Sequence, residues 1–303
     1  MIRFAPYYEL RPWGGSRLVE ELGRELPEGK IGESWELVEL GSRHSRAVGG
    51  PHDGALIGEL WRAGVLGGSA KGTFPFLLKW LDTDERLSVQ VHPDEATVAR
   101  LGAGAAKSEA WYVAHVDPTA SLFVGHYPGL DPATLRLAAT GGTIHKWLYE
   151  VRPRVGEMIY VPAGTLHAVG AGFLLLEVQQ SSDTTYRVYD WGRLDAEGLP
   201  RTLHLDEACE AVKYDRFGAP KAQRGQLLCE SFSLRALRMG QEIAAGALRV
   251  FVADSGAAKL VGAAGDEVLE YGDVVVAQES DGAVRLATGT ALLVSEPLEH
   301  EDA

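Results

Sequence analysis

Hydrophobic and polar residues alternate along several stretches of this chain, which is the period of a β-strand with one buried face. Residues 86–92 (RLSVQVH) alternate strictly and carry Ser88, Gln90 and His92 on the polar face. Residues 33–40 and 109–116 also read as strands. The pattern therefore predicts a chain that is mainly β.

Helical signals are fewer, and each predicts a short element. Asp94 is a suitable N-cap for a helix to about Leu101. Asp131 is followed by Pro132 at a first helical position, which predicts a helix to about Ala139. Hydrophobic spacing and flanking stop signals predict three further helices over 16–26, 56–66 and 205–213.

The residue pattern changes at about residue 225. After this point helical signals are absent, and short apolar runs are separated by glycine. We therefore predict a first domain over 1–220, a linker over 216–226 and a smaller all-β domain over 226–303. A glycine-acid pair precedes a strand at Gly156 and again at Gly272. This echo suggests two related β-barrel units, of which only the first kept a site.

The segment from Gly156 to Arg187 contains a carboxylate inside an apolar run. Residues 173–178 (FLLLEV) place Glu177 among large hydrophobic side chains. Burying an unpaired carboxylate costs several kcal/mol. We therefore expect a partner for Glu177, and a metal ion or a substrate is a good candidate.

Composition excludes several classes of protein. The 303 residues are 46% hydrophobic and 23% charged, with a formal net charge of −13. This charge argues against a nucleic-acid surface, and an anionic small substrate would need a local basic pocket. No apolar run of about 18 residues predicts a membrane span, and the N-terminus does not resemble a signal peptide. The two cysteines, Cys209 and Cys229, form no CxxC motif, so a cytoplasmic location is expected.

Four residues form a candidate ligand set for a metal ion. Gln90 and His92 lie two apart on one strand, so their side chains point the same way. Glu109 begins the next predicted strand, and His167 follows a turn. Each residue alone has a simpler structural explanation. Together, two imidazoles, a carboxylate and an amide suit Zn²⁺, Mn²⁺, Fe²⁺ or Co²⁺ better than Ca²⁺ or Mg²⁺.

The spacing of these residues resembles two signatures of the cupin double-stranded β-helix. Gly156, Pro162, Gly164 and His167 resemble the second signature, and Gln90-Val-His92 resembles the first with Gln in place of its first His. A closer resemblance is to the type I mannose-6-phosphate isomerase family in its short bacterial form. It is carried by segments 76–95, 107–113 and 162–190, with IGESWEL at 31–37 and PWGG at 12–15.

This resemblance implies a cupin (jelly-roll) barrel with a few added helices, followed by a degenerate cupin-like unit. It implies that Gln90, His92, Glu109 and His167 bind one zinc-type divalent ion per chain. Arg187 is expected to be catalytic. The resemblance places further pocket residues in proton transfer or substrate binding, namely Lys79, Lys107, Glu177 and Asp183. Substrate contacts are expected from Ser88, Lys107 and Arg187.

The implied reaction interconverts mannose 6-phosphate and fructose 6-phosphate through a cis-enediol. Predicted burial, which would raise its pKa, favours Glu177 as the base, with Asp183 or a lysine as competitors. The ion can act as a Lewis acid or only orient the substrate. Two other classes stay open, a metal-dependent oxygenase and a non-catalytic sugar-binding cupin. We expect a sugar-phosphate partner, no nucleic acid or membrane, and a monomer or homodimer.

Overall fold

The computed structural model describes residues 1–194 and 198–297, and within them the protein is mainly β. The α-helices of this part are α1 (Arg17–Glu20), α2 (Ile57–Arg62), α3 (Glu95–Leu101), α4 (Pro132–Thr140) and α5 (Leu205–Ala211). The earlier strands are β1 (Arg3–Phe4), β2 (Tyr7–Leu10), β3 (Ile31–Leu37), β4 (Glu39–Leu40), β5 (Arg43–His44), β6 (Ala47–Val48), β7 (Phe76–Thr83), β8 (Val89–Val91), β9 (Glu109–Val116), β10 (Leu122–His126), β11 (Leu148–Val151), β12 (Met158–Val161), β13 (His167–Val169), β14 (Phe173–Gln180) and β15 (Tyr186–Tyr189). The later strands are β16 (Gln226–Leu228), β17 (Ser233–Leu237), β18 (Glu242–Ile243), β19 (Val250–Ala253), β20 (Ala258–Gly262), β21 (Gly265–Leu269), β22 (Val274–Val276), β23 (Val284–Thr288) and β24 (Ala291–Ser295).

The first barrel consists of two antiparallel sheets. One has the strand order β11-β10-β13-β8-β15, and the other has the order β12-β9-β14-β7-β3-β2. From β7 to β15 the chain alternates between the two sheets, except that β10 and β11 pair within one sheet, and this crossing pattern is that of a jelly roll. The predicted cupin fold is therefore confirmed.

The second barrel repeats this strand order. Its sheets are β16-β17-β24-β19-β22 and β18-β23-β20-β21. The strands β12-β9-β14-β7 correspond to β22-β19-β24-β17, and β11-β10-β13-β8 correspond to β21-β20-β23-β18. A counterpart of β15 does not occur among the described strands of the second barrel. The predicted all-β, cupin-like second unit is confirmed.

The glycine-acid echo marks equivalent turns in the two barrels. Gly156 has φ +81° and Gly272 has φ +83°, the left-handed region that favours glycine. The Gly156 N–H donates to the Val113 carbonyl, and the Gly272 N–H donates to the Ala253 carbonyl, both at 2.9 Å. The two turns thus set the same register between a strand and its neighbour.

One hydrophobic cluster joins the barrels. It packs Leu78 and Trp80 of β7 together with Val250 and Val252 of β19. The Trp80 indole N–H also donates to the Gly272 carbonyl at 3.1 Å. Every residue of β3 and β7 is buried, and so are the first six residues of β9. The simple alternation predicted for 33–40 therefore does not describe its burial.

The helix predictions have mixed outcomes. Helices α3, α4 and α5 confirm three of them. The helix predicted over 16–26 is wrong, because α1 is a single turn and Gly23 adopts φ +62° soon after it. Leu18 is buried in the hydrophobic core, and its backbone N–H donates to the Asp82 carboxylate, an acceptor distant in sequence. Helix α2 also ends earlier than predicted.

The predicted linker over 216–226 lies against the first barrel. Gln223 exchanges two backbone hydrogen bonds with Met158, and the Gly218 N–H donates to the His126 carbonyl. Residues 298–303 of the predicted second domain lie outside the described residues. Among the residues that are described, every helix is too short or too polar to cross a membrane.

Candidate active site

A cavity of about 500 Å³ opens between the two sheets of the first barrel. Its walls come from β3, β7 and β14 of one sheet and from β8 and β15 of the other. Seven predicted site residues line it: Lys79, Ser88, Gln90, Lys107, Glu177, Asp183 and Arg187. The barrel therefore collects side chains that are more than 100 residues apart in sequence.

The remaining predicted metal ligands lie behind the wall of this cavity. The His92 Nε2 atom is 3.2 Å from one Glu109 oxygen, and the His167 Nε2 atom is 3.3 Å from the other. The Gln90 Nε2 atom is 3.2 Å from the His167 Nε2 atom, because β8 and β13 pair at these two residues. Ligand atoms of His92, Glu109 and His167 lie within 4.8 Å of one another.

The hydrogen bonds of the two histidines leave both Nε2 atoms unprotonated beside the carboxylate, and that of His167 also lies beside the Gln90 amide nitrogen. The His92 Nδ1 atom lies 2.9 Å from the Thr184 carbonyl, and the His167 Nδ1 atom lies 2.9 Å from the Thr165 carbonyl. A carbonyl only accepts, so each Nδ1 carries the proton and each neutral Nε2 is an acceptor. Acceptors packed against a carboxylate repel it unless a cation lies between them. The backbone carbonyls orient both rings as in metal sites.

Electrostatics support the neutral form of both rings. Burial and the Lys107 ammonium group lower the pKa of His92 to about 3. Burial also lowers the pKa of His167. Although burial opposes ionisation of Glu109, the Lys107 ammonium group holds its pKa well below the ordinary value. Two neutral imidazoles and a carboxylate are the donors that zinc-type ions prefer, so the residues present fit such an ion.

The buried Glu177 has the compensating partner that its burial led us to expect, and within the described residues that partner is a pair of lysines. Its Oε1 atom is 2.9 Å from Lys79 Nζ and 3.8 Å from Lys107 Nζ. Its Oε2 atom accepts a hydrogen bond of 2.9 Å from the Trp111 indole N–H. Lys107 Nζ also contacts Glu109 at 2.9 Å. Lys107 thus connects Glu177 to the candidate metal ligands.

Arg187 lines the cavity as a cation without an acidic partner of its own. Its Nη1 group donates to the Thr202 carbonyl at 2.9 Å, and none of the described carboxylates lies within 4 Å of it. The nearby Asp190 is occupied by Arg193 and Arg201. Burial, together with the charge of Arg201, lowers the pKa of Arg187. Such a guanidinium is suited to an anion that enters from solvent.

Two further predicted residues of the cavity, Ser88 and Asp183, differ in their exposure to solvent. Ser88 is buried, and its hydroxyl donates to Gln90 Oε1 at 3.2 Å. Asp183 is exposed at the edge of the cavity, and its carboxylate has no ion pair or hydrogen bond within the described part of the chain. Ser88 can therefore orient Gln90, whereas Asp183 faces solvent.

Sequence reasoning did not single out Glu33, which lines the same cavity. This buried carboxylate is 3.8 Å from Lys79 Nζ. Arg11 and the Trp35 indole N–H also bind it. The segments PWGG and IGESWEL carried the relevant signal, since both were noted for their resemblance but were assigned no chemical role.

Comparison with known proteins identifies relatives of this chain. Residues 1–115 match the family model described as the catalytic domain of type I phosphomannose isomerase. The mannose-6-phosphate isomerase of Streptococcus mutans is 38% identical over 202 residues, which span 66% of this chain and 64% of that protein. The mannose-6-phosphate isomerase ManA of Bacillus subtilis is 37% identical over 213 residues, which span 69% of this chain and 67% of that protein. The chain thus covers slightly less than two thirds of the streptococcal relative.

Solved structures extend the likeness over almost the whole chain. The crystal structure of the mannose 6-phosphate isomerase from Bacillus subtilis has a TM-score of 0.86 at 29% identity, and the match covers 97% of this chain and 99% of that one. A mannose 6-phosphate isomerase bound with zinc and yttrium has a TM-score of 0.74 at 18% identity, covering 98% of this chain and 100% of that one. The second likeness concerns the fold alone.

Proposed function

This chain belongs to the type I phosphomannose isomerase family, and we propose that it is a metal-dependent isomerase of mannose 6-phosphate and fructose 6-phosphate. One observation carries the proposal. A buried carboxylate between two lysines and an arginine with no acidic partner among the described residues line one cavity, and a candidate metal set lies directly behind its wall. The shared family supports the choice of substrate.

The reaction makes three physical demands. A base must remove a weakly acidic proton bound to carbon, and the charge that grows on the neighbouring oxygen must be stabilised. The phosphate must be anchored, so that remote binding energy orients the reacting carbons. Each demand has a candidate group among the residues of the first barrel.

We propose one zinc-type ion per chain, held by Gln90, His92, Glu109 and His167. The support is the pair of unprotonated Nε2 atoms beside the Glu109 carboxylate, of which that of His92 has no hydrogen-bond partner among the described residues. The zinc named for a protein of the same fold makes Zn²⁺ the first candidate, with Mn²⁺, Co²⁺ and Fe²⁺ as the others. When bound, the ion supplies positive charge near the sugar oxygens.

Glu177 is the base in this proposal. Its carboxylate lines the cavity, and Trp111 fixes one of its oxygens. The ammonium groups of Lys79 and Lys107 lie beside the other oxygen, where they can stabilise charge on a substrate oxygen. Asp183 is the weaker candidate because it lies in the exposed edge of the cavity.

Arg187 and Ser88 complete the proposed substrate contacts. Arg187 can bind the phosphate or another anionic oxygen, because its guanidinium has no carboxylate partner in the described chain. Lys107 adds a positive charge on the same cavity. All of these groups lie within residues 1–220, which we propose as the catalytic domain, with 226–303 as the second domain.

The cellular setting and the assembly are also proposals. A cytoplasmic location is supported by Cys209 and Cys229, which are both free thiols. We propose a monomer or homodimer that recognises its sugar phosphate without nucleic acid or membrane.

A coupled assay of mannose 6-phosphate turnover tests the proposed function. We expect chelation to abolish turnover and re-addition of at least one divalent transition ion to restore it. Turnover should exchange a C2 deuteron into water without uptake of oxygen. Absence of activity with every ion would overturn the proposal. Oxygen consumption would assign an oxygenase instead, and sugar binding without turnover would assign a sensing cupin.

A further inference from the structure

Charged side chains of alternating sign form a continuous row from one cavity wall to the candidate metal set. Glu33 Oε2 is 3.8 Å from Lys79 Nζ, and Lys79 Nζ is 2.9 Å from Glu177 Oε1. Glu177 is 3.8 Å from Lys107 Nζ, which is 2.9 Å from Glu109. All five side chains are at least nine-tenths buried. Each inner charge therefore has a counter-charge on both sides, and Glu33 begins the row.

Hydrogen bonds from Arg11 and Trp35 fix the Glu33 carboxylate in position. Arg11 contacts both of its oxygens, with Nε at 2.8 Å from Oε1 and Nη2 at 3.2 Å from Oε2. The Trp35 indole N–H donates to Oε2 at 2.6 Å. A bidentate guanidinium fixes both the position and the plane of a carboxylate. Glu33 is therefore a fixed anion rather than a mobile surface group.

Close backbone packing sets this arrangement. A Cβ atom on Gly32 would lie 2.6 Å from the Trp13 ring and 2.7 Å from Arg11 Cβ. A Cβ atom on Gly14 would lie 2.5 Å from the Ile31 carbonyl. Glycine at both places lets the segment PWGG lie directly on the start of β3 and brings Arg11 over Glu33. The packing of PWGG on IGESWEL thus positions Arg11, the residue before PWGG, against Glu33.

Lys79 is shared between two carboxylates because of Glu33. Burial alone would lower the pKa of Lys79, but Glu177 and Glu33 raise it. Burial alone would raise the pKa of Glu33, but Lys79 and Arg11 hold it at about 2. With Glu33 uncharged, Lys79 would have Glu177 as its single close carboxylate and would be drawn toward it.

We propose that Glu33 is a positioning residue for the reaction, which holds Lys79 Nζ between two carboxylates and so limits its pairing with Glu177. This inference rests on the proposed function, in which Glu177 is the base. A base that is bound more tightly by an ammonium group is less able to accept a proton. Glu33 acts through Lys79 and needs no contact with the substrate.

The test compares Glu33→Gln with a matched control, Glu39→Gln. Glu39 is also a buried, ion-paired carboxylate, with Arg62 as its partner, but it does not line the cavity. We expect Glu33→Gln to lower kcat about 10-fold to 100-fold with KM within about 2-fold, the split of a residue that acts on the chemical step. Metal content should stay that of the wild type. The control should keep kcat.

A double-mutant cycle separates positioning from structural support. In a Lys79→Met background, Glu33→Gln should have little further effect on kcat, because its target is gone. Equal losses in both backgrounds, or equal kcat in Glu33→Gln and Glu39→Gln, would overturn the inference. If Glu33→Gln does not fold, Trp35→Phe removes one hydrogen bond to Glu33 and should give a smaller loss of kcat in the same direction. An unchanged kcat in Trp35→Phe would then count against the inference.

A second measurement is independent of turnover. Amine acetylation followed by mass spectrometry should label Lys79 several-fold faster in Glu33→Gln than in the wild type and in Glu39→Gln, because a less stabilised ammonium group deprotonates more readily. Unchanged labelling of Lys79 would contradict the inference. A wild-type protein without isomerase activity would instead overturn the proposed function, and the labelling result would still decide whether Glu33 controls Lys79.

Discussion

The two barrels share a strand order, but at one equivalent interior position they carry side chains of opposite charge. Val113 of β9 and Ala253 of β19 are equivalent, since each accepts the hydrogen bond of the glycine that precedes the neighbouring strand. Four residues earlier come Glu109 in the first barrel and Arg249 in the second. A carboxylate of the candidate metal set thus corresponds to a fully buried guanidinium.

The partners of these two residues explain the difference. Glu109 meets His167, which follows the loop between β12 and β13. Arg249 donates to the carbonyls of Gln278 and Gly282, in the corresponding loop between β22 and β23. A buried charge needs compensation in either barrel. The first barrel compensates with side chains that can hold an ion, and the second with backbone carbonyls, so one scaffold supports a site or a structural contact.

The largest effect should come from the first barrel. His167→Ala removes one imidazole of the candidate set, and we expect turnover to fall by roughly a thousandfold or more with loss of bound metal. Circular dichroism should show the barrel still folded. His126→Ala is the control, because His126 is a buried histidine on β10 whose ring nitrogens lie beside the backbone carbonyls of Tyr127 and Lys213, away from the candidate set. Turnover at the wild-type level in His167→Ala would place the metal site elsewhere.

A substitution at the equivalent position of the second barrel should lower stability rather than turnover. Arg249→Met leaves the carbonyls of Gln278 and Gly282 without this donor, and we expect the free energy of unfolding to fall by about 3 kcal/mol. Metal content should remain one ion per chain, and turnover should be kept. The matched change in the first barrel is Glu109→Gln. It should lose bound metal, and its free energy of unfolding should change less than that of Arg249→Met. If Arg249→Met loses metal, the division of roles between the barrels is wrong.

The contribution of Glu33 to stability should depend on pH, because this carboxylate begins the row of buried charges. The folded-state pKa of Glu33 is lowered from 4.5 to about 2, so its ionisation stabilises the fold above about pH 4.5. The stability difference between wild type and Glu33→Gln should be on the order of 3 kcal/mol at neutral pH. It should shrink as the pH falls from about 4.5 toward 2. Urea unfolding at several pH values measures this, and a difference that does not change with pH would contradict the assignment.

The smallest effect should come from the contact between the barrels. The Tyr112 hydroxyl donates to the Asp254 carboxylate at 2.9 Å. Tyr112→Phe should cost about 1 kcal/mol of stability, since the apolar packing of the ring is kept. Turnover and metal content should not change. A clear loss of turnover would mean that the second barrel influences the site through this hydrogen bond.

The sequence predicted more of the site than of the fold around it. The resemblance of its segments to the family nominated seven of the residues that line the cavity, from Lys79 to Arg187, but not Glu33. Sequence reasoning failed for 16–26, where the Leu18 N–H donates to Asp82, a contact that local periodicity does not contain. It predicted a partner for Glu177 but did not identify Lys79, because this cross-strand pairing depends on the register of β7 and β14.

By itself the sequence determined the strand-rich character, the equivalent glycine turns and the identity of the candidate ligands, because these depend on local conformation and on chemistry that each residue carries. Tertiary structure alone decided that Glu33 begins a row of buried charges, that Arg249 takes the place of Glu109, and that β3 is buried on both faces. Those properties arise when sheets stack and distant side chains are removed from water together. Burial makes each unpaired charge costly, and only the packed structure shows which charges compensate one another.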